Sequence, residues 1–280
     1  MLSILILTKN EELDLPGALA AVAFSDDVHV LDSESTDRTA AIATDPAARA
    51  AGVHFHTRPF DDYASQRNAG LALPFAHPWV FVLDADERPT PALLTEITQT
   101  LPGTHDSVAA FRIRRRDFFW GTWLKHAQMS PFYVRLQRTG RTRYTRAVNE
   151  VVEVNGTTSE LREPFDHFPF SKGIANWITR HNHYSTREAE LLAEGSFAAE
   201  ASWRRAFFGP DFHTRRMAQK AIFYQLPARP LIKWLYLMFL RGALLDGPAG
   251  LMYATLQAIY EYFIELKVRE LSRKRGNEVL

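Results

Sequence analysis

Asp84-Ala85-Asp86-Glu87 follows the uncharged run Trp79-Val80-Phe81-Val82-Leu83, so two carboxylates two residues apart stand just past what reads as a buried parallel strand. Open α/β sheets bind ligands at the carboxyl ends of their strands. Two ionised carboxylates held close together repel each other unless a cation lies between them. Hard oxygen ligands suit Mg²⁺ or Mn²⁺, which in turn grip a diphosphate. The pattern points to nucleotide chemistry, although an acidic turn after a strand is, taken alone, more often a solvated cap.

Other polar residues join this pair at matching places. Thr8, Asn10 and Glu11 follow the apolar residues 2–7, and Asp32 ends the run over residues 28–31. In a parallel sheet these strand ends share one edge. Short polar side chains there can read a base and a ribose, because a buried donor or acceptor left unpaired costs about 1–3 kcal/mol.

The elements that must carry them alternate through the first hundred residues. Apolar strands over residues 2–7, 28–31, 53–56 and 79–83 are separated by helical patterns, the signature of a doubly wound, mostly parallel, right-handed α/β sheet. Ser35 or Thr36 is expected to cap a helix running to Thr44, and Asp61 to start one running to Leu71. After Leu101-Pro102-Gly103 short strands are expected over residues 109–113, 132–137 and 151–154, then a helix over residues 174–201. The chain is read as a catalytic α/β domain over residues 1–165 and a helical extension over residues 166–280.

Composition limits the chemistry. With 280 residues, 46% hydrophobic and 23% charged, the chain has an ordinary globular make-up. The absence of cysteine excludes disulfides, thiol catalysis and thiolate metal sites, so any metal must be held by oxygen or histidine. The first apolar run is too short for a signal peptide or a membrane span. Charge is unevenly spread: residues 1–111 carry 6 basic against 16 acidic residues, residues 112–146 carry 10 against 1, and residues 203–241 carry 8 against 1. The two basic stretches suit anionic partners.

On these motifs the chain resembles a family 2 glycosyltransferase of the GT-A fold. The resemblance rests on Thr8-Lys9-Asn10-Glu11-Glu12, Asp32-Ser33-x-Ser35-x-Asp37-x-Thr39, Gln66-Arg67-Asn68-x-Gly70 and Asp84-Ala85-Asp86-Glu87, in that order. It implies a nucleotide-sugar donor, a UDP-sugar, held by Thr8, Asn10, Glu11, Asp32, Ser35, Asn68 and Asp84. A Mg²⁺ or Mn²⁺ ion would sit on Asp86, and Arg67 would face the diphosphate. An inverting displacement needs a base opposite the leaving group. Glu150 stands where the family places a catalytic carboxylate, with a strand-end ion pair to Arg143 or Arg146 as the plainer role for the same residue.

The later chain is similar to lipopolysaccharide-core glycosyltransferases through Arg115-Arg116-Asp117-Phe118-Phe119-x-Gly121, Val134-Arg135-Leu136-x-Arg138, Asn149-Glu150, Phe170-x-Lys172-Gly173, Arg180-His181-Asn182 and Leu245-Asp246-Gly247-Pro248-Ala249-Gly250. It departs from them in having Asn149 where that group has His before the Glu, and Ala127-Gln128-Met129-Ser130-Pro131-Phe132 where it has Gly-Gly-Trp-x-Pro-Asp. The acceptor this implies is a membrane-associated glycan or glycolipid, with the protein peripheral on the inner face of a bacterial cytoplasmic membrane.

The apolar stretches 234–240 and 251–260 fall short of the roughly 20 residues that span a bilayer. Their aromatics, beside the basic stretch, suit helices lying in an anionic membrane interface, or else a hairpin packed on protein. His126, His167, His181 and His183 do not read as a zinc site, since residues i and i+2 do not share a helix face. Arginines and aromatics over residues 112–126 match no RNA-binding motif, and no nucleic-acid partner is expected. A nucleotidyltransferase would show a glycine-rich loop near residue 10, which is absent here. A membrane-bound scaffold that holds nucleotide without turnover is the non-enzymatic alternative.

Overall fold

The computed structural model describes residues 2–145, 151–196, 201–210 and 212–275. The chain divides into two compact units, one of residues 1–118 and 130–171, the other of residues 119–129 and 172–280.

The first unit opens with β1 (Ser3–Thr8), α1 (Leu15–Ala21), β2 (Val28–Asp32), α2 (Thr39–Ala43), α3 (Pro46–Ala50), β3 (Val53–Thr57), α4 (Tyr63–Leu71) and β4 (Trp79–Asp84). It continues with β5 (Glu87–Pro89), α5 (Pro91–Thr100) and β6 (Val108–Phe119). After β7 (Thr122–Trp123), whose residues belong to the second unit, come β8 (Phe132–Arg138), β9 (Thr142–Thr145), β10 (Val151–Val154), β11 (Thr157–Glu160) and β12 (Phe165–His167). The main sheet runs β3-β2-β1-β4-β8-β6-β12-β5, with β11 also on β6. The first four strands are mutually parallel, and β8 then pairs antiparallel with both β4 and β6. The expected α/β architecture is present, with antiparallel strands completing its far side.

Strand side chains alternate between two apolar layers, as period two requires. Ile4, Ile6, Val28, Val30, Phe81 and Leu83 meet Leu15 and Ala18 of α1 and Leu93 and Ile97 of α5. Leu5, Leu31, Val80 and Val82 meet Ala69 and Leu71 on the opposite face. Cover on both faces is why these strands read as unbroken apolar runs, each large side chain contributing about 1.5–3 kcal/mol by burial. Gly70 lets α4 lie close to the sheet: a Cβ there would come within 2.6 Å of Leu5 Cδ2.

Three local expectations change. Neither Ser35 nor Thr36 caps α2, which starts at Thr39, whose N donates instead to Asp37 Oδ1 at 2.9 Å. Both residues are engaged instead with Asp32 and Asn10. The α4 cap is Asp62, which accepts from Ser65 N at 2.9 Å, because Asp61 is drawn onto Arg58 at 2.5 Å. The helix expected to reach residue 201 ends at Ala193, shortly before Gly195 takes φ 75°, a left-handed conformation that stops helices.

The second unit is helical: α6 (Gly173–Ala193), α7 (Trp203–Phe208), α8 (Phe212–Phe223), α9 (Arg229–Leu235), a π-helical turn over Tyr236–Leu240, and α10 (Gly247–Arg275). Lys267 Nζ of α10 donates to Asn182 O and Oδ1 of α6, each at 2.7 Å, and His181 stacks on Trp177 with ring centres 3.6 Å apart. The Asp246-Gly247-Pro248-Ala249-Gly250 segment has a packing role. Asp246 accepts from the backbone N of His126 and Ala127, and a Cβ on Gly250 would strike Ala243 O. Among the described residues no helix is long and apolar enough to cross a membrane.

Candidate active site

The tips of β1 and β2 are sewn together by the residues singled out from the sequence. Thr8 Oγ1 donates to Asp32 Oδ1 at 2.6 Å, and Ser35 donates to the same carboxylate through its N at 2.7 Å and its Oγ at 2.6 Å. Asn10, with φ 54°, donates its N to Ser35 Oγ and accepts Thr36 N on its Oδ1 at 2.8 Å. Glu11 N donates to Thr39 Oγ1 at 2.7 Å. Asp32 is 1% exposed, so its carboxylate fixes the loop shape from beneath. The structure thus brings Thr8, Asn10, Glu11, Asp32 and Ser35 into one connected edge.

Asp84, at the end of β4, is gripped by two guanidinium groups. Arg67 Nη2 lies 3.1 Å from its Oδ1, and Arg135 Nη2 lies 3.0 Å from its Oδ2 and 2.6 Å from Glu87 Oε1. Burial acts to raise the Asp84 pKa, but Arg67 and Arg135 outweigh it and hold the carboxyl well below the usual carboxylate range. Glu87 is fully buried and accepts Asp84 N at 3.0 Å; burial pushes its pKa up even against Arg135. Arg88 ties the turn down by donating to Ala85 O at 2.6 Å and to Asp14 O at 2.7 Å, passing beside Gly17, where a Cβ would meet its Nη2 at 2.8 Å.

Asp86 faces a different partner. Register places His167 of β12 beside both Glu87 of β5 and Asp117 of β6. His167 Nε2 is 3.3 Å from Asp86 Oδ2, and its Nδ1 is 2.5 Å from the buried Asp117 Oδ1. Burial works against the imidazolium, but the Asp86 charge and the hydrogen bonds to Asp117 and Asp86 prevail and raise His167 to about 9. A carboxylate oriented on one imidazole nitrogen, with the other nitrogen turned toward an acidic oxygen, is the donor arrangement that protein metal sites use. Asp86 and His167 fit a divalent cation that displaces the imidazolium proton now lying between them, whereas the Asp84 charge is matched by two arginines that have no proton to give up.

Two sequence expectations land elsewhere in the network. Arg67 is nearly buried, reaches Asp84 and lies over the Tyr144 ring at 5.5 Å. Asn68 uses its amide on the Tyr144 backbone, accepting from N at 2.8 Å and donating to O at 2.7 Å, and so joins α4 to β9. Glu150 lies outside the described residues. The sequence reading missed His167, Asp117 and Arg135 as site residues. Asp117 and His167 are 50 positions apart and meet only through short strand pairings, so spacing gave no signal.

The model of Glycosyl transferase family 2 matches residues 3–167, and the chain belongs to that family. It is a transferase. The chain is 27% identical over 272 residues to the lipopolysaccharide core biosynthesis glycosyltransferase LpsC of Rhizobium meliloti strain 1021, covering 95% of this chain and 91% of the relative. It is 25% identical over 288 residues to an uncharacterised glycosyltransferase of Rickettsia typhi, covering 99% and 90%. Among solved structures, S. aureus TarS 1-349 in complex with UDP-GlcNAc aligns with 99% of this chain and 92% of that one, at TM-score 0.46 and 13% identity. At that distance it supplies no detail for this site.

Proposed function

We propose that this glycosyltransferase moves a sugar from a nucleotide sugar, a UDP-sugar, to a membrane-associated envelope glycan such as lipopolysaccharide core. The observation that carries the reading is the pair Asp86 and His167, backed by Asp117, beside an Asp84 fixed by Arg67 and Arg135. Likeness to LpsC over nearly the whole chain supports the acceptor class.

Asp86 and His167 would hold Mg²⁺ or Mn²⁺. When bound, the ion would neutralise charge developing on the departing diphosphate. Thr8, Asn10, Glu11, Asp32 and Ser35 shape the nucleoside side of the edge, and Asp84, held ionised by its arginines, offers acceptor oxygens to the ribose. Arg67 and Asn68 act from behind, fixing Asp84 and β9. In the inverting reaction the acceptor oxygen forms a bond to the anomeric carbon as the bond to the diphosphate oxygen breaks. The hydroxyl proton passes to a carboxylate, assigned to Glu150 from its place in the sequence.

The first unit would bind the donor and perform catalysis, and the second would serve the acceptor and the membrane. Phe208 and Leu240 are 83% and 81% exposed, and Phe207, Phe239 and Leu245 are also exposed, near in sequence to Arg204, Arg205 and Arg241. Apolar side chains beside basic ones suit an anionic bilayer interface, consistent with a peripheral position on the cytoplasmic face of a bacterial inner membrane.

The test is a mass-spectrometric assay of UDP-sugar consumption and product formation with Mn²⁺ or Mg²⁺ across an acceptor panel. Turnover that is lost in Asp86→Ala and in Glu150→Gln, with an inverted anomeric centre in the product, is expected. Full turnover by a folded Asp86→Ala chain would remove the metal role.

A further inference from the structure

A second cluster of potential ligands lies at the opposite end of the strands from the acidic pair. Asp27 immediately precedes β2, and the parallel register sets His29 of β2 directly against His54 of β3, the edge strand. Asp27 Oδ1 is 3.0 Å from His29 Nε2 and 3.8 Å from His54 Nε2, and one donor atom from each of the three residues lies within 4.8 Å of the others. Zinc bonds to imidazole nitrogen and carboxylate oxygen are about 2.0–2.2 Å, which sets neighbouring donors around a tetrahedral ion roughly 3.4 Å apart. The two separations from Asp27 Oδ1 fall on either side of that value.

The surroundings hold two of the three donors in place. Asp27 Oδ2 accepts Ser3 Oγ at 2.5 Å and Ala76 N at 2.8 Å, which leaves Oδ1 turned toward the histidines. His29 Nδ1 is 3.1 Å from His56 Nε2, so its second nitrogen has a partner that fixes the ring while Nε2 points at Asp27. Such an outer partner is the usual companion of a ligating histidine. Asp27 and His29 are 4% and 2% exposed, while the His54 side chain is 55% exposed and gives access from solvent.

We propose that Asp27, His29 and His54 form a binding site for a divalent first-row transition cation of the zinc class, distinct from the catalytic edge. Two imidazoles and one carboxylate supply three ligands, water completes the set, and the ion ties the start of β2 to the edge strand β3. Asp32 ends the same β2 five residues further on, about 16 Å along a strand at roughly 3.3 Å per residue. The site therefore cannot share an ion with Asp86, and its role is structural. Nitrogen-rich donors of this kind favour zinc, cobalt or nickel over magnesium.

The experiment titrates Co²⁺ into chelator-treated full-length chain and follows visible absorption, then displaces it with Zn²⁺. A four-coordinate cobalt spectrum that persists in Asp86→Ala and weakens at least tenfold in affinity in His54→Gln is expected. Zn²⁺ should raise the unfolding midpoint of the parent by several degrees and leave that of His54→Gln unmoved. His54 is exposed, so His54→Gln should fold and keep parental turnover, which separates this site from the catalytic one. A cobalt spectrum indistinguishable between parent and His54→Gln, or one lost in Asp86→Ala, overturns the proposal.

Discussion

His167 Nε2 lies 3.3 Å from Asp86 Oδ2 while its Nδ1 is committed to the buried Asp117. If that carboxylate orients the imidazole for a cation, Asp117→Asn should raise the Mn²⁺ concentration needed for half-maximal activity about 10–100-fold. Turnover at saturating Mn²⁺ should change far less. His167→Ala should lower both. An unchanged Mn²⁺ activation curve in Asp117→Asn would dismiss the orienting role.

Arg135 joins Asp84 to the fully buried Glu87. Removing it leaves a buried carboxyl without its counter-charge, a loss of about 3–5 kcal/mol. Urea unfolding of Arg135→Ala should show it, with Arg135→Lys intermediate because lysine keeps the charge and loses the fork. A loss below about 1 kcal/mol would mean that Glu87 carries a proton and needs no partner.

Gly70→Ala should destabilise by about 1–3 kcal/mol through overpacking, since the new methyl meets Leu5. The same helix carries Arg67 to Asp84, so donor KM should rise with it. Gly103→Ala is the control: nothing lies within 4 Å of its added carbon, and stability should stay within about 0.5 kcal/mol.

In the helical unit, burial raises the pKa of Glu261 despite Lys233 and Arg229, and its Oε2 has no hydrogen-bond partner among the described residues. A carboxyl whose folded pKa exceeds its unfolded value favours the native state at low pH and disfavours it as pH climbs through the folded pKa. Glu261→Gln should therefore match the parent in thermal stability near pH 4 and exceed it near pH 8. A variant that is less stable than the parent at the higher pH would show that the ionised carboxylate is stabilising.

Strands β1, β2 and β4 were legible because they are buried on both faces and are mostly apolar, and their tips supplied Thr8, Asp32 and Asp84, with Asp86 in the turn beyond. The length of β6 was not. Beyond Ile113 its sequence is Arg114-Arg115-Arg116-Asp117, which looks like a solvated loop. In the fold Arg115 lies over Tyr133 at 4.7 Å and Asp117 binds His167, so partners from other strands make the charges tolerable. The short β5 and β12 carry too few residues for any periodicity, yet their pairing delivers His167 to Asp86. The Asp27, His29 and His54 group was equally hidden, because only the β2–β3 register sets those residues against one another.

Residues 119–129 belong with the helical unit although sequence of the α/β unit lies on both sides of them, so the polypeptide passes between the units three times. A chimera that grafts a foreign helical unit by one splice after Ser171 would retain eleven residues matched to the discarded partner. Among them are Leu124 and Ala127, both buried, and the His126 and Ala127 amides that Asp246 receives. Exchanging the helical unit between relatives of this architecture calls for replacing that short inner segment together with the tail, as a single cassette in two pieces.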